Sequence, residues 1–97
     1  MKVLNKPELI PLEVGDSIKA MQVRGLAGMT MPRHHATKEA VIVVLEGTAL
    51  LGMSERSHTL KKGSTFIIPA GKEHTLTIQQ DFKAIAIMAV DSEINFI

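Results

Sequence analysis

The chain contains no cysteine, no tryptophan and no tyrosine, and just three phenylalanines in 97 residues. Without thiols there is no disulfide, no thiolate metal site and no cysteine nucleophile. The formal net charge is +1, and Lys61-Lys62 is the one adjacent basic pair. With few aromatic rings for base stacking as well, a nucleic-acid partner is not expected. No apolar run approaches membrane-spanning length, and the first 16 residues lack the continuous apolar stretch of a signal peptide. These absences together predict a cytoplasmic protein with no membrane partner. Nucleophile elbows, glycine-rich phosphate loops and dinucleotide fingerprints are missing too, which removes the commonest hydrolase and nucleotide-binding chemistries.

What remains is an ordinary globular composition, 45% hydrophobic and 22% charged, in a chain long enough for one domain over residues 1–97. Pro7 and Pro11 make residues 1–16 an extended arm with an edge strand around Glu8 to Leu12. Strand-like stretches follow at close, even spacing: 18–24, 40–45, 48–53, 57–60, 65–68, 74–80 and 82–90, punctuated by Gly and Pro turns. His74, Leu76 and Ile78 alternate with Thr75, Thr77 and Gln79. No segment holds a helical period over ten residues, so the chain reads as a small, all-β antiparallel sandwich or barrel.

The strands at Ala40–Leu45 and Ile85–Val90 are apolar on both faces. Only one face of each can look into the domain's own core, so the other needs a cover. In so short a chain a second subunit is the economical cover, and a homodimer is expected. The hydrophobic tail Ile94-Asn95-Phe96-Ile97 points the same way.

The stretch Gly28 to Gly47, GMTMPRHHATKEAVIVVLEG, carries the chemistry. Gly28 stands six residues before His34, and Leu45-Glu46-Gly47 closes the run. Downstream, Gly63, Pro69, Gly71 and His74 form a second spaced pattern. In this order and separation the two stretches resemble the paired motifs of the cupin superfamily, over about Gly28 to Ile78. The second motif departs from the family pattern at its terminal Asn, where Ile78 stands. The resemblance implies a jelly-roll β-barrel with a divalent metal in its lumen, held by two histidines and a glutamate of the first motif and one histidine of the second. By position the first histidine is His34 and the second-motif histidine is His74, but Ala36 and Ala40 stand where the other two ligands would be.

Strand alternation gives the same result independently. An inward His34 brings Ala36 and Ala40 inward and turns His35 and Glu39 outward. Two imidazoles without a carboxylate make a weak site for Zn, Fe, Mn or Ni. A β-bulge between His34 and Ala40 would re-aim His35 or Glu39 as a third ligand. His35 and His58 are otherwise expected to face solvent. Arg33 and Lys38 flank the motif and are placed to guide an anionic ligand. Met29, Met31, Met53 and Met88 read as core filler.

The leading expectation is a degenerate metal site, with no cofactor or a weakly held divalent metal, and a small organic molecule bound by His34, His74 and Arg33. The alternative is a metal-dependent oxygenase, isomerase or epimerase using His34, His74 and His35 or Glu39. A ligand-free dimeric interaction module is the third.

Overall fold

The structure is a computed structural model that describes residues 6–97, so the start of the expected N-terminal arm lies outside the described residues. Eight strands follow one another with no helix among the described residues. They are β1 (Glu8–Val14), β2 (Ile18–Gly25), β3 (Thr30–Ala36), β4 (Ala40–Met53), β5 (Ser57–Lys61), β6 (Thr65–Ile68), β7 (His74–Ala89) and β8 (Ile94–Phe96).

Every pairing is antiparallel, and β4 and β7 organise all of them. Residues 40–44 of β4 and 82–89 of β7 lie in one layer with β1, β2 and β6. Residues 48–53 and 74–78 lie in the other layer with β3, β5 and β8. The sheet therefore curls over itself as a jelly roll. The N-terminal stretch enters as the expected edge strand, β1, on β2.

The sequence suggests a break on each side of this ladder, at Glu46-Gly47 and at Gln80-Asp81. Both strands run through. β4 has 14 residues and β7 has 16, and the register shifts between Val44 and Ala49 where the pair bends. Gly47 makes the bend (φ 82°). A Cβ there would sit 1.9 Å from the Asp81 carbonyl oxygen, a backbone atom that cannot swing aside. Only glycine meets both demands, the positive φ and the close approach.

The core fills the space between the layers. Ile42 and Val44 of β4 before the bend and Ala49 and Leu51 after it pack with Leu76, Ile78, Ala84 and Met88 of β7, all buried. β7 alternates with one parity throughout, and β4 changes parity at the bend. Met31 and Met88 are buried in this core, with Met29 and Met53 packed against it, so the methionines are packing groups as expected. The C-terminal tail is partly absorbed: Ile94 packs on the core, while Phe96 and Ile97 are exposed.

Gly47→Ala is expected to cost about 3 kcal/mol, seen as a fall in Tm of roughly 10 °C or more. Gly63→Ala also has positive φ (88°) but meets nothing within 4 Å, and should cost about 1 kcal/mol. Equal losses in the two variants would mean that the approach to Asp81 is not what holds the bend.

Candidate functional site

β3 carries His34 into the interior beside the first residue of β7, His74, with which it pairs directly. Both side chains are buried, at 6% and 5% exposure. The rings meet edge to face with centroids 4.2 Å apart. Their Nδ1 atoms are fixed in the same way: His34 Nδ1 lies 2.6 Å from the Pro32 carbonyl oxygen and His74 Nδ1 lies 2.9 Å from that of Lys72. A carbonyl can only accept, so each Nδ1 carries the ring proton and each Nε2 keeps a free lone pair.

Burial is the largest influence on both imidazoles and pushes their pKa values below the ordinary one. For His34 the Pro32 carbonyl pulls back upward, and His74 and His35 push down. For His74 the Lys72 carbonyl pulls upward and His35 pushes down. The pair is therefore held neutral.

The two histidines form one wall of a cavity of about 60 Å³ in the lumen. Every other lining residue is apolar, among them Met31, Ala36, Ala40, Met88 and Ile94. Ala36 and Ala40 thus sit on the lumen face, where alternation from His34 puts them.

The bulge falls on the other side of His34 from the one that would re-aim a third ligand. The register shifts between Met31 and His34, around Pro32, which has no N–H to offer the ladder. Beyond it His34, His35 and Ala36 pair regularly with Phe96, Asn95 and Ile94. Glu39 is exposed, just ahead of β4. His35 is half-buried where exposure was expected, with an Nδ1 that is shut from solvent and has no partner among the described residues. His58 is also half-buried, its ring 4.6 Å from that of Phe66.

Among the described residues no group of three or more His, Asp or Glu is placed to hold a metal ion. The donor set agrees: two imidazoles fall short of the three or four protein ligands that a catalytic or structural divalent site uses. A divalent ion of the kind the cupin resemblance implies does not fit these residues.

Arg33 lies outside the lumen. It pairs loosely with Glu73 at 3.5 Å and lines an outer groove with Met53, Ser54, Thr75 and the outer side of His74. Lys38 is engaged with Asp91 at 2.7 Å. Sequence reasoning identified His34, His74 and the two alanines, but gave no sign of Ile94, which closes the cavity from the last strand.

Comparison with known proteins supports the fold. A cupin superfamily protein from Desulfitobacterium hafniense has 18% identity and a TM-score of 0.80, over 94% of this chain and 84% of that one. A DMSP lyase from Ruegeria pomeroyi has 21% identity and a TM-score of 0.84, over 94% of this chain and 51% of the lyase. A salicylate 1,2-dioxygenase from Pseudaminobacter salicylatoxidans has 17% identity and a TM-score of 0.81, over 96% of this chain and 31% of that one. At such identities the likeness is one of fold alone. No curated protein matches the sequence. The model of the Cupin domain matches residues 23–90, the greater part of the chain and both histidine motifs, and the chain belongs to that family.

Proposed function

We propose that the protein is a binding protein whose lumen takes a small, largely apolar organic molecule carrying a hydroxyl or N–H group. The observation behind this is the pair of neutral, buried imidazoles with bare Nε2 atoms in an otherwise apolar cavity. Such a wall accepts hydrogen bonds and offers none, so it selects a donor on an apolar body. Arg33, expected to guide an anionic ligand, lines the outer groove beside Glu73 and takes no part in the lumen site. The same absence of thiols that suits a reducing compartment supports a cytoplasmic location.

The enzyme alternative, an oxygenase, isomerase or epimerase using a divalent metal, needs a third ligand. Neither His35 nor Glu39 lines the cavity with His34 and His74. The cavity itself is small, on the scale of a fragment rather than of a drug-sized ligand.

In a thermal-shift panel, small phenols and alcohols are expected to stabilise the protein by about 2–3 kcal/mol near a hundredfold excess over Kd. Hydrocarbons of equal size should do less, and the paired change His34→Leu with His74→Leu, which removes both acceptors, should abolish the difference. A stoichiometric, chelator-resistant metal in the purified protein would sink the proposal.

Stability should also follow pH in a definite direction. Because the folded imidazoles have lowered pKa values, the unfolded chain takes up protons first as pH falls below about 6.5. Stability should therefore be level above that point and fall progressively below it, and binding should weaken in parallel as Nε2 is protonated. Urea midpoints measured between neutral and weakly acidic pH should show a shallower fall in the double Leu variant. Identical slopes would mean that these two histidines do not titrate as proposed.

Restoring the missing ligands tests the strand register. Ala36→His with Ala40→Glu puts two new donors on the lumen face beside His34 and His74. This variant should gain Zn or Ni binding at about micromolar Kd or tighter by isothermal titration calorimetry. No gain over wild type would mean that the four side chains do not converge.

A further inference from the structure

His34 and His74 are so deeply buried that a ligand reaches them only if part of the fold moves. The two layers run β1-β2-β7-β4-β6 and β8-β3-β7-β4-β5. On the β5 and β6 side the edges are joined by the short turn at 62–64, and His58 of one packs on Phe66 of the other. On the opposite side the edges are β1 and β8, and among the described residues no backbone hydrogen bond passes between them. Side chains close that seam. Leu9 of β1 and Ile94 of β8 both line the cavity. Phe96 lays its ring against that of His34, centroids 5.1 Å apart, and Lys6, just ahead of β1, places Nζ 5.9 Å from the centre of the Phe96 ring. Phe96 is nevertheless 52% exposed. A half-exposed ring thus stands on this side between a buried imidazole and solvent.

We infer that the seam between β1 and β8 is the entrance to the lumen, with β8 as a strap hinged at residues 91–93 and Phe96 as its plug. This rests on the lumen being the binding site. The hinge is tied at several points. Thr37 N–H donates to the Glu93 carbonyl and Glu93 N–H to Thr37 Oγ1, both at 3.0 Å. Lys38 pairs with Asp91 at 2.7 Å, and Lys19 Nζ donates to the Ser92 carbonyl at 3.0 Å. Beyond the hinge the strap is lightly held, three residues long and paired with β3 alone. Short segments with one neighbour open at the lowest free energies in a fold. The other cavity-lining residues, apart from Ile68 on the joined side, lie on β2, β3, β4 and β7, which are paired on both edges. A route from the outer groove past Met53 and His74 would part the β4–β7 ladder, in which those two residues are partners.

A thiol in the lumen tests this without any ligand, because the chain has no cysteine of its own. Ala86→Cys places it on the cavity wall of the layer opposite β8, and Ala40→Cys serves if that variant does not fold. Modification by a small methanethiosulfonate under native conditions reads the rate of access. Adding Phe96→Ala is expected to raise that rate about three- to tenfold, the scale of one lost aromatic contact, with the urea midpoint nearly unchanged. Ile97→Ala, at the neighbouring exposed residue, and Met53→Ala, at the outer groove, should leave the rate as it is. No acceleration by Phe96→Ala overturns the inference, as does an equal or larger one by Met53→Ala. So does an acceleration matched by an equal loss of global stability, which would be unfolding of the whole domain. The two readings fail separately. If small phenols and alcohols do not stabilise the protein but Phe96→Ala still accelerates the thiol, the binding reading falls and the seam stands. If they stabilise it and the thiol rate is indifferent to Phe96, the seam falls and the binding reading stands.

Discussion

The ladder between β4 and β7 is the constraint on which everything else rests. These two strands belong to both layers, and each of the other strands is held, directly or through one neighbour, by one of them. A strand alternates between two faces, so the register on each side of the bend decides which residues of 40–53 and 74–89 are core. The bend at Gly47 shifts the register by one residue, so the inward positions of β4 pass from 40, 42 and 44 to 49 and 51 while β7 keeps one parity, and the pair turns from one layer into the other. Without it the two layers could not close over a common interior.

The site is a consequence of the same ladder. His74 is the first residue of β7 and faces inward with Leu76 and Ile78, and β3 pairs alongside it so that His34 faces inward too. Neither imidazole is free to turn, because each is tethered to a backbone carbonyl two residues upstream. The cupin interior that in the family pattern holds four ligands here holds two, and the two alanines leave apolar walls where charge would be. Removing a carboxylate from such a cavity changes its preference from cations to hydrogen-bond donors, because the remaining imidazoles can be neutral without leaving a buried charge unpaired.

Much of this was legible in the sequence, for physical reasons. Gly28, Gly47, Gly63 and Gly71, the glycines of the two motifs, all adopt positive φ, so their spacing reported backbone geometry rather than composition. The inward facing of His34, Ala36, Ala40 and His74 followed from the two-residue period. The continuity of β4 and β7 was not legible. Glu46-Gly47 and Gln80-Asp81 have the composition of turns, and only the approach of the two backbones to one another makes them a bend. A bulge that re-aimed a third ligand would have to follow His34; the one present precedes it, since Pro32 disrupts the ladder at its own position. Nor could local pattern show that β8 would return to β3 and place Ile94 against the cavity, because that pairing joins residues about sixty positions apart.

The lumen and the apolar outer face are built from the same residues of the same strands in alternation. Ile42, Ala86 and Met88 line the cavity, while Val41, Val43, Ile85 and Ile87 point the other way. Their backbone is shared, so the inner wall cannot shift without moving the outer one. Any cover on the outer face would restrain these strands and with them the shape of the cavity. The position of the imidazoles is fixed by the Pro32 and Lys72 carbonyls, while the apolar side chains of the other wall are placed by the ladder of β2, β7, β4 and β6 and by their packing. The cavity thus has one wall whose polar groups are pinned by side-chain hydrogen bonds and one whose apolar groups are placed by strand register.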